Sequence, residues 1–308
     1  MIRFLKNWTL PIAMLVGSIG YPYISKLSFM MPYFIFAMLF LTFCKVSFKE
    51  LRFEPLHWWL LAIQFAGSVL VFIALYPLDK YIAESAMLCI IAPTAAAAAV
   101  VTGKLGGSVP CLTMYTLLSS VLTAVMVPLF FPIVAELPPD IDIHVNSHFF
   151  LSVFVILKRV FPIIILPLLL AWFFRKFWPR AHRELAKISG ASFYIWGLSL
   201  TVVTSVTVES LVSSNSNAMT EIMAAVAGLV TCAVQFYLGK RIGTHYGQRI
   251  SGGQGLGQKN TVLVIWISQT YLNPTSSLGP CSYVIWQNIV NSYQLWKKRK
   301  KDAKSKQQ

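Results

Sequence analysis

Gly252-Gly253-Gln254-Gly255-Leu256-Gly257-Gln258-Lys259-Asn260 is the stretch whose reading decides the fold. Four glycines loosen the backbone. A lysine and an asparagine follow, and an apolar run, Thr261 to Ile267, begins at once. In a chain surrounded by water this would be a loop and little more. Here the flanking sequence is apolar on both sides, so we expect a membrane helix interrupted at this point, with the glycine run as its unwound part.

The composition supports that setting. Of 308 residues, 56% are hydrophobic and 12% charged, and the mean hydropathy is +0.64. A water-soluble domain carries about 25% charged residues, so a polytopic membrane protein is the expected class. The net charge of +15 is no nucleic-acid signal, because the basic residues form short clusters between apolar runs. That pattern follows from retention of Lys and Arg on the cytoplasmic side. Cys44, Cys89, Cys111, Cys232 and Cys281 have neither metal nor redox spacing and are expected as small buried side chains. Met1 to Gly20 has the charge and apolar core of a signal peptide but no small-residue cleavage site, so it is expected to stay as a first helix.

A bilayer core needs roughly 20 apolar residues per helix. On that ruler there are ten spans, at 8–24, 28–46, 57–77, 83–102, 108–132, 149–174, 190–212, 220–239, 256–272 and 278–296. The sixth is over-long and expected to tilt or bend near Pro162 and Pro167. With both termini in the cytoplasm, 21 of the 26 basic residues fall on the cytoplasmic side, including Lys49, Arg175, Lys176, Arg180, Arg183, Lys187 and the tail through Lys306. Outer loops keep Lys26 and Lys80, and carry Asp79, Glu136, Asp140 and Asp142. The expected location is a membrane crossed several times, with both termini on the cytoplasmic side. The basic tail, 297–308, serves to fix topology or to touch anionic headgroups.

Ten spans with both ends inside divide into two halves of five, 1–148 and 149–296. An odd number per half inverts the second relative to the first. Spans four and nine then correspond. Span four is interrupted by Pro93 within Ala92-Pro93-Thr94-Ala95, and span nine by the glycine run. Spans five and ten both open with Pro-Cys, at Pro110-Cys111 and Pro280-Cys281. Pro93 alone could be a kink. Paired with the glycine run, it points to two crossing broken helices whose freed backbone groups line a cavity.

These residues resemble the bile acid:sodium symporter family and its bacterial relatives. The resemblance rests on Ala92-Pro93-Thr94-Ala95 through Gly103-Lys104-Leu105-Gly106, on Gly257-Gln258-Lys259-Asn260-Thr261, and on Trp286-Gln287-Asn288-Ile289. Ile156-Leu157-Lys158-Arg159-Val160 through Leu166-Pro167-Leu168-Leu169 adds to it. It implies an all-α fold with a panel of spans 1, 2, 6 and 7 and a core of spans 3–5 and 8–10. It implies transport of an organic anion by alternating access, with substrate beside the crossover and two sodium ions behind it. Thr94, Asn260, Gln287 and Asn288 take substrate-contacting or crossover positions on this resemblance. Ser119, Ser120 and Thr123 lie near the expected sodium neighbourhood, and Pro93, Gly255 and Gly257 form the crossover backbone.

The departures matter most. Sodium needs several oxygen ligands, and the family supplies Ser and Asn just after the span-four proline. This chain has Ala95, Ala96, Ala97, Ala98 and Ala99 there. The family's acidic residue near the second break falls on Gln254 or Gly255, and its glutamine on Lys259, beside Gln258. One sodium site has thus lost its side-chain ligands and the other holds a fixed cation. A lysine at mid-membrane costs about 2.5–3.5 kcal/mol. Four roles are open to it: its ammonium replaces a sodium ion, it pairs with a substrate carboxylate, it titrates and carries a proton, or it snorkels to water near the cytoplasmic end.

Other chemistries fit less well. Glu84, Glu209 and Glu221 lie near outer span ends, Glu209 beside the polar run Ser213-Ser214-Asn215-Ser216-Asn217. Lys158 and Arg159 fall in the outer third of span six. Polar side chains in spans can also serve helix–helix packing. Gly253-x-Gly255-x-Gly257 with Lys259 lacks the spacing and hydroxyl of a phosphate-binding loop. His57, His144, His148, His182 and His245 lie at loops or span ends, which argues against an intramembrane enzyme. The expectation is a sodium-independent carrier of a small organic anion. It uses no catalytic residues, metal, cofactor or nucleic acid, and the lipid bilayer is its surroundings. A sodium-coupled symporter and a channel-like or non-transporting relative are the alternatives. Substrate identity and oligomeric state stay open.

Overall fold

The structure is a computed structural model that describes residues 2–46, 51–95, 97–134, 145–213 and 217–305. Lys49, Ala96, Glu136, Asp140, Asp142, His144, Ser214, Asn215, Ser216 and Lys306, named above, lie outside the described residues.

The described residues form helices and no strand. In order these are α1 (Ile2–Ile19), α2 (Tyr21–Ile24), α3 (Met31–Phe43), α4 (Pro55–Leu75), α5 (Lys80–Ile91), α6 (Ala98–Leu105) and α7 (Val109–Val134). There follow α8 (Val145–Phe177), α9 (Pro179–Ile188), α10 (Ser192–Ser213), α11 (Ala218–His245), α12 (Arg249–Gly257), α13 (Thr261–Tyr271) and α14 (Leu278–Ser305). Among the described residues six segments are long and apolar enough to cross a membrane: Tyr21–Phe43, Pro55–Leu75, Val109–Val134, Phe149–Phe177, Ser192–Ser213 and Ala218–His245. The protein is a multi-pass membrane protein. The burial pattern agrees, and α4 shows it within one helix. Leu70 and Ile73 are 65% and 61% exposed, whereas Gln64 and Ser68 are fully buried. A helix with apolar groups outside and amides inside is at rest only in hydrocarbon.

Local chemistry sets the helix ends. Pro55 opens α4, where the Glu54 side chain and His57 form a reciprocal capping box. Asp79 starts α5 by accepting from the Tyr81 and Ile82 N–H groups at 2.7 and 3.1 Å. α5 ends because Ala92 precedes Pro93 and takes an extended conformation, φ −49° and ψ 135°. Gly106 closes α6 in the left-handed region at φ 86°.

Two differences from the sequence reading stand out. The glycine run does not unwind. Residues 249–257 are one helix, α12, and the interruption comes after it, at Gln258-Lys259-Asn260. The glycines serve close packing. A Cβ on Gly252 would collide with the Gly239 carbonyl, and one on Gly257 with the Phe236 ring. Both neighbours belong to α11, so small residues let the two helices nearly touch. Gly255 likewise leaves room for the Tyr115 ring, 2.9 Å from where a Cβ would stand. The second difference is that the last helix runs past 296, the expected end of span ten. α14 runs on to Ser305, helped by an i,i+4 pair between Lys298 and Asp302 at 2.8 Å.

The helices pack as two compact units, and the division falls within α7. One unit comprises Met1–Val46, Ser120–Asn217 and Val262–Ser277. In it α10 packs on α1 and α3, α3 packs on α8, and α9 folds back against α8 and α3. Arg175 Nη1 donates to the Val46 carbonyl at 2.9 Å. The other comprises Ser47–Ser119, Ala218–Thr261 and Leu278–Gln308. Here α11 is central, packing on α5, α12 and α14, with α4 against α5. Its interior holds Leu60, Leu88, Tyr115, Leu256 and Tyr283. Cys89 and Cys232 pack there as small apolar groups with Phe236 and Tyr283.

Candidate functional site

The two interruptions lie in the second unit and meet each other. Thr94 and Lys259 form an antiparallel bridge. The Ala95 N–H donates to Gln258 O at 2.8 Å, and the Asn260 N–H to Pro93 O at 2.7 Å. Each break thereby satisfies backbone groups of the other, which is what permits non-helical chain inside a membrane protein.

Each break also leaves a helix C-terminus whose last carbonyls have no helical partner. At the end of α5 every such carbonyl has a side-chain donor. Gln235 Nε2 donates to Cys89 O at 3.1 Å. Lys259 Nζ donates to Ile90 O and Ala92 O at 2.8 and 2.9 Å. Gln64 Nε2 donates to Ile91 O and Ala92 O at 3.0 and 3.2 Å, and its own Oε1 accepts from Tyr115 OH at 2.7 Å. The end of α12 is treated alike. Thr94 Oγ1 donates to Gly255 O at 2.8 Å, and Tyr283 OH to Gly257 O at 2.9 Å.

Among the described residues Lys259 is the one lysine in this arrangement, and it is 1% exposed. A snorkelling lysine would reach water, so that reading is overturned. Its charge lies at the negative end of the α5 dipole. No carboxylate pairs with it among the described residues. Carbonyl oxygens at a half-helix C-terminus are what a small cation would be offered. At this end of α5 those oxygens are bonded to Lys259 Nζ.

The other expected site residues divide into three groups. Thr94, Ser119, Gln258 and Gln287 belong to the crossover. Ser119 Oγ accepts from the Thr94 N–H at 3.2 Å, and Gln287 Oε1 from the Lys259 N–H at 2.8 Å. Gln258 contributes its backbone carbonyl, while its side-chain Oε1 is buried with no hydrogen-bond partner among the described residues. Asn260 joins through its N–H and is partly exposed. Gln254 and Asn288 are bonded elsewhere. Gln254 Nε2 donates to Asn291 Oδ1 at 3.0 Å, and Asn288 Nδ2 to Val284 O of its own helix at 2.7 Å. Ser120 and Thr123 are buried but fall in the other compact unit. Four residues of the site were not among the sequence candidates: Gln64, Tyr115, Gln235 and Tyr283. A signal existed for two of them. A lone glutamine midway along an apolar helix is costly unless bonded, and both Gln64 and Gln235 are of that kind.

Fold and site define a helical membrane protein built around two interrupted helices whose breaks are joined. Residues 31–214 match the sodium bile acid symporter family. The match exceeds half of the chain, and the protein belongs to this family. It is therefore a transporter of the sodium-symporter type, and bile acids or other organic anions are the class of cargo. No curated protein matches the chain. The matched stretch contains the first break but stops before Lys259.

Proposed function

We propose that this protein is a secondary carrier of a small organic anion that works without sodium, the Lys259 ammonium taking the place of a sodium ion. The observation that carries the reading is the seat of that ammonium, buried and bonded to Ile90 O and Ala92 O. The alanines after Pro93 support it, since Ala95, Ala97 and Ala98 offer no side-chain oxygen. Ten spans are counted by taking α1, α2 with α3, α4, α5 with α6, α7, α8, α10, α11, α12 with α13, and α14. Two inverted repeats then exchange spans four and nine, the two broken ones. Spans 3–5 and 8–10 act as the core and spans 1, 2, 6 and 7 as the panel, with substrate reached by alternating access. Thr94 and Gln287 serve the crossover, whereas the partly exposed Asn260 and Asn288 are the substrate contacts. The distribution of Lys and Arg supports both termini in the cytoplasm, and the resemblance to the family's bacterial relatives suggests a bacterial inner membrane.

Counterflow tests this reading. Proteoliposomes loaded with unlabelled taurocholate are placed in labelled taurocholate in sodium, potassium or choline chloride. Equal exchange rates in the three salts are expected. A saturable requirement for sodium would overturn the proposal, and leak without exchange would indicate a channel.

A further inference from the structure

The helix α9 has two different faces. Ala181, Glu184, Leu185 and Ile188 line a groove of about 540 Å³ whose other walls are Phe36 and Phe40 of α3 and Leu170 and Phe174 of α8. One position earlier along the helix in three of these cases stand Arg180, Arg183 and Lys187, all exposed. The groove is apolar except for Glu184, and the Glu184 carboxylate is held by Lys187 Nζ at 2.7 Å. Arg180 and Arg183 form no ion pair among the described residues. Arg175 is occupied by the Val46 carbonyl. Burial, together with the Arg175 charge, lowers the His182 pKa.

The position of the groove is that of a membrane surface. α9 follows directly on α8, which crosses the membrane and ends at Phe177. The end of α8 carries the exposed aromatic residues Trp172, Phe173 and Phe177, with exposed Trp178 directly after it, and Lys176 Nζ stands 5.1 Å from the centre of the Trp172 ring. Exposed aromatic residues beside basic ones mark the headgroup level of a bilayer. A soluble anion would use the two arginines and leave the groove unused. A neutral lipid would use the groove and leave the arginines unused.

We propose that the groove between α3, α8 and α9 binds one anionic phospholipid, an acyl chain lying between Phe40, Phe174 and Leu185 and the phosphate bound by Arg180 and Arg183. The site is separate from the helix breaks and does not depend on what is transported. Each basic group near an anionic headgroup favours binding about fivefold, so two of them multiply to a preference for anionic over zwitterionic lipid of about 25-fold.

The test uses the full chain, purified in a neutral detergent, stripped of lipid and titrated with phosphatidylglycerol or phosphatidylcholine of the same acyl chains. Bound lipid is counted by native mass spectrometry. The native protein is expected to retain phosphatidylglycerol about 25-fold better. In the R180Q/R183Q protein the ratio should fall to near one, with phosphatidylcholine binding unchanged. Leu185→Trp, which fills the groove and leaves the charges, should reduce binding of both lipids. Equal binding by the native protein, a preference surviving in R180Q/R183Q, or undiminished binding in Leu185→Trp would each overturn the proposal. So would displacement of phosphatidylglycerol by glycerol phosphate at equal concentration, which would mark a site for a soluble phosphate.

Discussion

Replacing Lys259 by methionine removes the ammonium from the centre of the helix breaks while keeping most of the side-chain volume. Two effects oppose each other. An ammonium held in hydrocarbon costs about 2.5–3.5 kcal/mol, and methionine relieves that. Against it stand two hydrogen bonds from a charged donor, to Ile90 O and Ala92 O, each contributing about 1.5–3 kcal/mol. After the change Ala92 O keeps Gln64 Nε2 at 3.2 Å. Ile90 O loses its side-chain donor, and a buried carbonyl without one costs about 1–3 kcal/mol. The second set prevails if the lysine fills a cation seat, so Lys259→Met should destabilise by about 1–3 kcal/mol, or roughly 2–10 °C in melting temperature. Thermal melts in detergent, followed by tryptophan fluorescence, measure this in matched chloride salts of sodium, potassium and choline. The native protein should melt alike in all three. Lys259→Gln, which empties the seat and adds an oxygen, should gain a sodium-selective stabilisation approaching about 2.7 kcal/mol at a hundredfold excess over Kd. A methionine variant that melts higher than the native protein would refute the reasoning, because the ammonium would then be an uncompensated charge. A native protein stabilised selectively by sodium would refute it as well.

Gln64→Leu should lower stability by about 1–3 kcal/mol in chemical or thermal unfolding, because Ile91 O and Tyr115 OH each lose a partner. Combined with Lys259→Met it should cost more than the sum of the two, since Ala92 O then loses both donors; strict additivity would contradict a shared site. Gly252→Ala should destabilise by about 1–3 kcal/mol through overpacking, because the added methyl meets the Gly239 carbonyl. Gly190→Ala, with nothing within 4 Å, serves as its control, and equal melting of the two variants would contradict the packing role of the run. Asn288→Ala should leave the melting temperature within about 1–2 °C, as its side chain bonds to its own helix, but should weaken counterflow; undiminished counterflow would contradict its proposed contact with substrate.

Much of the architecture can be read along the chain because its causes are local. Apolar runs, the basic loops between them and Pro93 each act within a few residues, so membrane class, interrupted span four and the expected orientation follow from the sequence. The glycine run is ambiguous in the same local terms. Glycine serves both a chain that unwinds and a helix that must approach another closely, and only the position of Gly239 and Phe236 on α11 selects the second. The break falls just after the run, where Gln258, Lys259 and Asn260 find backbone partners in 93–95.

Lys259 itself is conspicuous in the sequence, as a cation with no place in an apolar span unless something receives it. What receives it is not legible there. Its partners are carbonyls of Ile90 and Ala92, 169 and 167 residues away, and every residue carries a carbonyl, so no residue type marks them. Gln64 and Gln235 are visible as lone amides but have no address until α4, α5 and α11 are packed. The sequence by itself determined that this is a membrane protein with two weak points and a lysine near the second that has no evident counter-charge. The tertiary structure decided that the weak points join and that the ammonium fills a carbonyl-lined seat, because hydrogen-bond satisfaction in a solvent-free interior is settled by the assembled helices together.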